Sequence, residues 1–236
     1  MGRDMVQLVM KYQTIYRDDH GIVHTWIEND FNELSIEIEG VQFKGTEFSN
    51  LAIVDQHGYS ESQLQRFTLH QTKILGSGCI EETLCNCCFE LVVPQTMILL
   101  PEMRTFSVDV KVIYSLGNVR ANGALEFENI NISVILDNTL FEASGDYFET
   151  VLDSLTRQFE GGYQFKNCYG CMFGDYSAYG QSSFGTMQCY HAQKEAYLRI
   201  KDKSDYLALC QHNPLVQEID CCDRYEIREK GGGYRG

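Results

Sequence analysis

Two thiols set two residues apart constrain this chain more than any other feature. In Cys168-Tyr169-Gly170-Cys171 the cysteines flank a tight turn with a glycine inside it, a spacing that lets both thiolates reach one tetrahedral ion at ~2.3 Å. Cys189 follows after 17 intervening residues, within the span that separates the halves of a zinc ribbon. The usual second Cys-x-x-Cys is missing. Cys189-Tyr190-His191 supplies one thiol and one imidazole, and Cys221-Cys222 lie in a later polar segment. The fourth ligand is therefore His191 or one of the late cysteine pair. Four thiolates would close the site, which makes the zinc structural, since catalytic zinc keeps a position for water.

The other cysteines read differently, because free cysteine packs as a small hydrophobe. Cys85 and Cys87 fall on one face of a strand running into Phe89-Glu-Leu-Val-Val93, which makes them core. Cys79 with Cys85 and Cys87 is a rival metal cluster of lower rank, and Cys210 shares an apolar helix face with Leu207. A redox role for Cys168 and Cys171 would need the motif to open a helix within a βαβ unit, and none surrounds it.

Most of the first 140 residues alternate with a period of two. Leu34, Ile36 and Ile38 oppose Ser35, Glu37 and Glu39; Val108, Val110, Val112 and Tyr114 oppose Asp109 and Lys111; Ile130, Ile132, Val134 and Leu136 oppose Asn131, Ser133 and Asp137. Half-polar strands of this kind build antiparallel sheets with one face on a core. His20-Gly21, His57-Gly58, Gly117-Asn118 and the hairpin-type Asn122-Gly123 break them. The fold expected is mainly β, an antiparallel β-sandwich or open barrel followed by a small α+β zinc-ribbon-like module.

Near residue 144 the period changes. Tyr147, Phe148, Val151, Leu152, Leu155 and Phe159 form one helical stripe over Asp146–Glu160, with Asp146 and Glu149 as a capping box and Gly161-Gly162 as the stop. A shorter helix is expected from Ser204, its N-cap, to about His212. The domains expected are an antiparallel β domain at 1–143, a helix plus four-cysteine module at 144–227, and a disordered glycine-rich tail at 228–236.

Charge separates the same regions. Residues 1–145 carry nine basic against twenty acidic side chains, a net of −11, and the remainder ten against thirteen, a net of −3. Such acidity repels nucleic-acid phosphates and favours a basic protein surface as partner. The opening residues show no secretory pattern, and no apolar run approaches the ~18 residues a membrane span needs. A cytoplasmic location is expected, where thiols stay reduced and clustered cysteines hold metal. No HExxH, GxSxG or Walker lysine is present.

The run Cys168-x-x-Cys171-x-x-x-Asp175-Tyr176-Ser177-x-Tyr179-Gly180-x-x-x-Phe184-Gly185-x-x-x-Cys189 resembles an uncharacterised bacterial family. In it a Cys-x-x-Cys, a Tyr-Ser-x-Tyr-Gly loop and a Phe-Gly-x-x-x-Cys strand precede a last cysteine that follows Val-x-Glu. Here Val216-Gln217-Glu218 leads to the late pair, and the resemblance places the fourth ligand at Cys222. Asp223-Arg224 stands where the family has Pro-Glu, which loosens the match there. The resemblance covers about residues 166–226. It implies zinc bound by Cys168, Cys171, Cys189 and Cys222, no particular reaction, and an association with toxin and immunity loci.

Two functions follow. The first is a cytosolic bacterial zinc-stabilised protein-binding module, an immunity protein that neutralises a basic toxin. The second is an enzyme with a site between the β domain and the zinc module, built from Asp175, Tyr176, Ser177 and His191. Scattered Ser, His and Asp occur in most chains, so the first is preferred. The sequence leaves the oligomeric state open.

Overall fold

The computed structural model describes residues 9–73, 80–179, 183–209, 213–229 and 233–234. Cys79, Cys210, Gly180 and the Gly76-Ser77-Gly78 segment lie outside the described residues. The chain divides into two compact units, residues 1–92 with 113–128, and residues 93–112 with 129–236. The change of period near residue 144 therefore falls inside the second unit. The chain is mainly β, and its strands make a large antiparallel sheet. No helix among the described residues is long and apolar enough to cross a membrane.

In the first unit β1 (Met10–Asp18), β2 (Gly21–Asn29), β3 (Leu34–Ile38), β4 (Val41–Gly45) and β5 (Ala52–Ile53) pair in succession. After the short helix α1 (Glu61–Leu64), β6 (Leu69–Lys73) and β7 (Ile80–Leu84) follow, with β7 against β5. The first parts of β8 (Cys87–Leu99) and the last residues of β9 (Arg104–Leu116) complete the unit. The alternation seen in sequence is the alternation of burial: Leu34, Ile36 and Ile38 are buried while Glu37 is exposed. The β3–β4 turn at Glu39-Gly40 has φ of +49° and +82°, the handedness that matches strand twist in a two-residue hairpin. Phe67, in the connection from α1 to β6, packs on the sheet 5.0 Å from Phe43 and 6.4 Å from Tyr16, and Phe89 lies 5.5 Å from its cross-strand partner Tyr16. Cys85 and Cys87 are both buried, and burial pushes both thiols up in pKa. At the end of β1 the Asp18 carboxylate is closed from solvent. It accepts from Arg66 at 2.6 Å and from the Tyr16 hydroxyl at 2.9 Å, and its other oxygen takes the His20 and Gly21 N–H groups. β8 pairs with β1 only from Cys87 to Leu91, so that ladder stops short of Pro94, which has no N–H to offer.

The second unit holds the remaining parts of β8 and β9, then β10 (Glu128–Leu136) and β11 (Thr139–Gly145). Before β10, in residues 113–128 of the first unit, Asn122-Gly123 forms the expected tight turn, with Gly123 N–H on Arg120 O at 2.9 Å. Helix α2 (Phe148–Gln158) packs on β11 with Phe148, Val151, Leu152 and Leu155 buried, and Phe159 beyond its end is buried too, but Tyr147 of the expected stripe is exposed. Its cap is not. Tyr147 is the N-cap and no side chain caps it, so the Asp146 capping box is not formed. Gly161 at φ +79° ends the turn that follows. β12 (Tyr163–Phe165) returns along β8 opposite Met97–Leu99.

The rest is short pieces. β13 (Gly174–Asp175), β14 (Met187–Cys189), α3 (Lys194–Leu198), α4 (Lys203–Leu209) and β15 (Leu215–Val216) follow in order, with β14 central in a small three-stranded sheet. α4 starts earlier than expected: Asp202, not Ser204, takes the free N–H groups of Ser204 and Asp205, at 2.8 and 3.0 Å. The tail expected to be disordered over 228–236 is engaged where it is described. Tyr234 stacks on Tyr206 at 4.3 Å, and Arg228 binds three carbonyl oxygens.

Candidate metal centre

The turn at Cys168 is shaped by what precedes it. β12 ends at Phe165, Lys166 N–H reaches Thr96 O at 2.8 Å, and Asn167, 2% exposed, takes Gly170 N–H on its side-chain oxygen at 3.0 Å. The Asn167 amide nitrogen donates to Gln95, and Gln95 donates to Ile219 O. Cys171 N–H then bonds Cys168 O at 3.3 Å and Gly174 N–H bonds Cys171 O at 3.2 Å. Gly170 is required because a Cβ there would land on Phe165 O. Gly174 meets the same obstacle at Cys168 O.

Main-chain bonds bring the other cysteines to this turn. Cys168 N–H donates to Asp220 O at 2.6 Å, two residues before Cys222, and Tyr169 N–H to Glu218 O at 3.2 Å. Cys171 bridges Ile227, and Met172 N–H reaches Glu226 O at 2.7 Å. A second turn, Tyr225 N–H to Cys222 O at 3.3 Å, faces the first, and the Tyr225 hydroxyl is shared between Phe165 O and Gly170 O. Cys189 enters through the small sheet, where it pairs with Gly174 and its N–H bonds Pro214 O at 3.0 Å.

The thiols feel one another. Burial pushes the Cys168 thiol well up in pKa, and negative charge on Asp220, Cys171, Cys222 and Cys189 adds to that. Cys189 is raised by burial and by Cys171 and Cys222, while the His191 backbone N–H and Arg224 oppose the rise. All four cysteines named from the sequence thus share one neighbourhood. Cys222 acts on both Cys168 and Cys189, and Cys221, raised by burial, also feels negative charge on Cys222, Asp220 and Cys171, so both late thiols lie near the turn. Among the described residues no three Cys, His, Asp or Glu side chains stand at metal-holding geometry; the fold supplies proximity and a donor set of thiols. The His191 ring lies edge-on to Phe173 at 5.7 Å and 4.0 Å from Glu226.

The conspicuous motif residues beside the cysteines are committed to packing. Asp175 and Tyr176 are each 2% exposed. The Asp175 carboxylate accepts the Tyr197 hydroxyl at 2.6 Å and Tyr176 N–H at 2.8 Å. Burial and that carboxylate push the Tyr197 hydroxyl up to about 12. Glu218, fully buried, accepts Tyr176 OH at 3.0 Å and Gly185 N–H at 2.8 Å. Cys171, Met172, Phe173, Tyr190, Tyr197 and Tyr206 form one apolar cluster. Ser177 accepts from Tyr179 N–H, so Asp175, Ser177 and His191 face three different sets of partners. Asn167, Gln95 and Arg228 were missed by sequence reasoning. Only Asn167 left a signal, an Asn three residues ahead of a turn glycine.

One profile in the comparisons with protein families, described as a family of unknown function (DUF6304), matches residues 10–174. The chain belongs to that family. The DUF6304 match begins at β1 and ends within β13, so it takes in Cys168 and Cys171 but stops before Cys189 and Cys222. The motif that resembled an uncharacterised family therefore overlaps the DUF6304 region over residues 166–174 alone. No curated protein and no solved structure matches the chain.

Proposed function

We propose that this DUF6304 protein is a zinc-stabilised protein-binding module of the bacterial cytoplasm whose partner is basic, in the manner of an immunity protein that neutralises a basic toxin. The observation that carries the metal part is the set of main-chain bonds drawing Cys168, Cys171, Cys189 and Cys222 together. Reduced thiols at that density favour a soft tetrahedral ion, and zinc in a four-thiolate shell stabilises the segment without offering a reactive position. The partner part rests on the net of −11 over residues 1–145, which steers a basic surface into contact and weakens with salt. An enzymatic reading loses ground, because Asp175 and Tyr176 are spent on buried hydrogen bonds.

Elemental analysis of the purified protein is the direct test, and about one zinc per chain is expected. Absence of any transition metal ends the metal reading. Between the late thiols, Cys222→Ser is expected to lose the ion and Cys221→Ser to keep it; loss in Cys221→Ser alone reverses the assignment. Co-expression with the neighbouring gene product tests the partner. A harmless neighbour and no co-purifying protein would reduce the acidity to a solubility feature.

A further inference from the structure

The chain's single tryptophan lies in the open. Trp26 is 54% exposed on the outward face of β2, and tryptophan is among the residue types enriched at binding interfaces. Around it Lys11, Thr25, Glu28, Ser35, Glu37 and Gln42 frame a pocket of about 350 Å³. The pocket exists because the β2–β3 ladder is short. It pairs Asn29 with Leu34, Glu28 with Ser35 and Ile27 with Ile36, and goes no further. Beyond Ile27 the Thr25 hydroxyl donates to Glu37 O at 2.7 Å, so a side chain stands where a main-chain bond would have kept the strands closed.

The charges around the ring are not balanced. Lys11 is held by Glu28 at 2.6 Å, and Glu37, exposed beside the opening, forms no ion pair among the described residues. The pocket thus offers an aromatic face, one spare carboxylate, and the hydroxyl and amide oxygens of Ser35 and Gln42 as acceptors. A planar cation fits that set best. A guanidinium stacks on an indole and donates in a fork to a carboxylate, whereas an ammonium does only part of this. We propose that this pocket receives an arginine side chain of the basic partner. The inference rests on the basic-partner reading and names the residue type by which that partner is recognised.

Trp26 reports on its own site, since no other indole is present. An octa-arginine peptide titrated into the full-length protein is expected to shift and quench the indole emission, and octa-lysine to do so less. With a fluorescein-labelled octa-arginine, anisotropy is expected to show about tenfold weaker binding for Trp26→Ala and about threefold for Glu37→Gln. Glu102→Gln, an exposed acid in the other unit, should bind as the wild type does. Both substitutions at the pocket are on the solvent face, and Glu37→Gln with the native indole carries the test should Trp26→Ala fold poorly. Unchanged affinity in Trp26→Ala and Glu37→Gln overturns the pocket while leaving the basic partner standing. Equal, Trp26-dependent binding of octa-lysine overturns the choice of arginine. No binding of either peptide at low salt removes the pocket and the basic partner together.

Discussion

Residues 10–92 hold their apolar core with regular strand ladders, whereas residues 163–229 hold theirs, a cluster of Met172, Phe173, Tyr190, Tyr197 and Tyr206, with individual side-chain hydrogen bonds. In the first region Phe43, Phe89, Ile27 and Ile36 are at most 1% exposed, and strand pairing satisfies the backbone. In the second the strands are two or three residues long. Such strands satisfy few main-chain groups, so side chains take over: Asn167 on Gly170 N–H, Arg228 on Cys171 O and Met172 O, Glu218 on Gly185 N–H. Each region solves the problem of buried polar backbone, one by regular ladders and one by individual crosslinks. The second arrangement leaves little reserve if one crosslink goes, which is where a bound ion has most effect.

The largest effect expected is on that second arrangement. Cys168→Ser or Cys171→Ser should abolish zinc binding and raise amide exchange throughout residues 163–229, while β1 to β4 stay protected. Structural zinc supplies on the order of 10 kcal/mol in small modules, so loss should be complete rather than graded. Cys85→Ser, in the apolar core of the sheet, should keep the metal. If it strips the zinc instead, the two regions have been assigned the wrong chemistry.

Phe43→Ala attacks the sheet. Removing a ring that is 0% exposed and packs on Phe67 should cost about 3–5 kcal/mol, read as a lower denaturation midpoint with zinc content unchanged. A matching loss of zinc would mean that the two regions unfold as one.

Asn167→Ala sharpens the contrast on a smaller scale. It leaves Gly170 N–H and the Gln95 side-chain oxygen without their Asn167 partner and should cost about 1–3 kcal/mol. The expected signature is faster zinc release to a chelator with the sheet unaffected. Asn167→Asp, which keeps the acceptor for Gly170, should recover part of the loss.

How much of this could be read beforehand differs by region for the same reason. Period-two alternation marks β3, β9 and β10 because burial on one sheet face repeats with the pleat. The Cys-x-x-Cys spacing marks the first knuckle because two thiols on one turn are a local arrangement. Asn167, Gln95 and Arg228 were not legible, since each acts on backbone groups whose positions follow from distant parts of the chain. Asp146 misled because a capping pattern says nothing of where the preceding strand ends; β11 runs to Gly145 and sets the helix start at Phe148.

The smallest effect expected is one of pH on the sheet. Burial lowers the pKa of His70 on β6 below its ordinary value. Between that lowered pKa and ~6.5 the unfolded chain binds more protons than the folded one, so stability is full above ~6.5 and declines as pH falls. Thermal midpoints at pH 7.5 and 5.5 should differ by less in His70→Gln than in the wild type. A wild-type slope that the substitution leaves intact would place the acid sensitivity elsewhere.

The sequence by itself determined the mainly β class, the antiparallel pairing, the apolar stripe of α2 and the set of cysteines worth watching, all of which depend on local periodicity or spacing. Only the tertiary structure decided that the segment of the late cysteine pair returns to the Cys168 turn, that Asp175 and Tyr176 are packing residues, and that Trp26 is left uncovered. Those outcomes depend on which carbonyl oxygen or ring arrives from dozens of residues away. Local periodicity carries no record of that distance, because the free energy of a long-range contact is set by the whole fold that closes it.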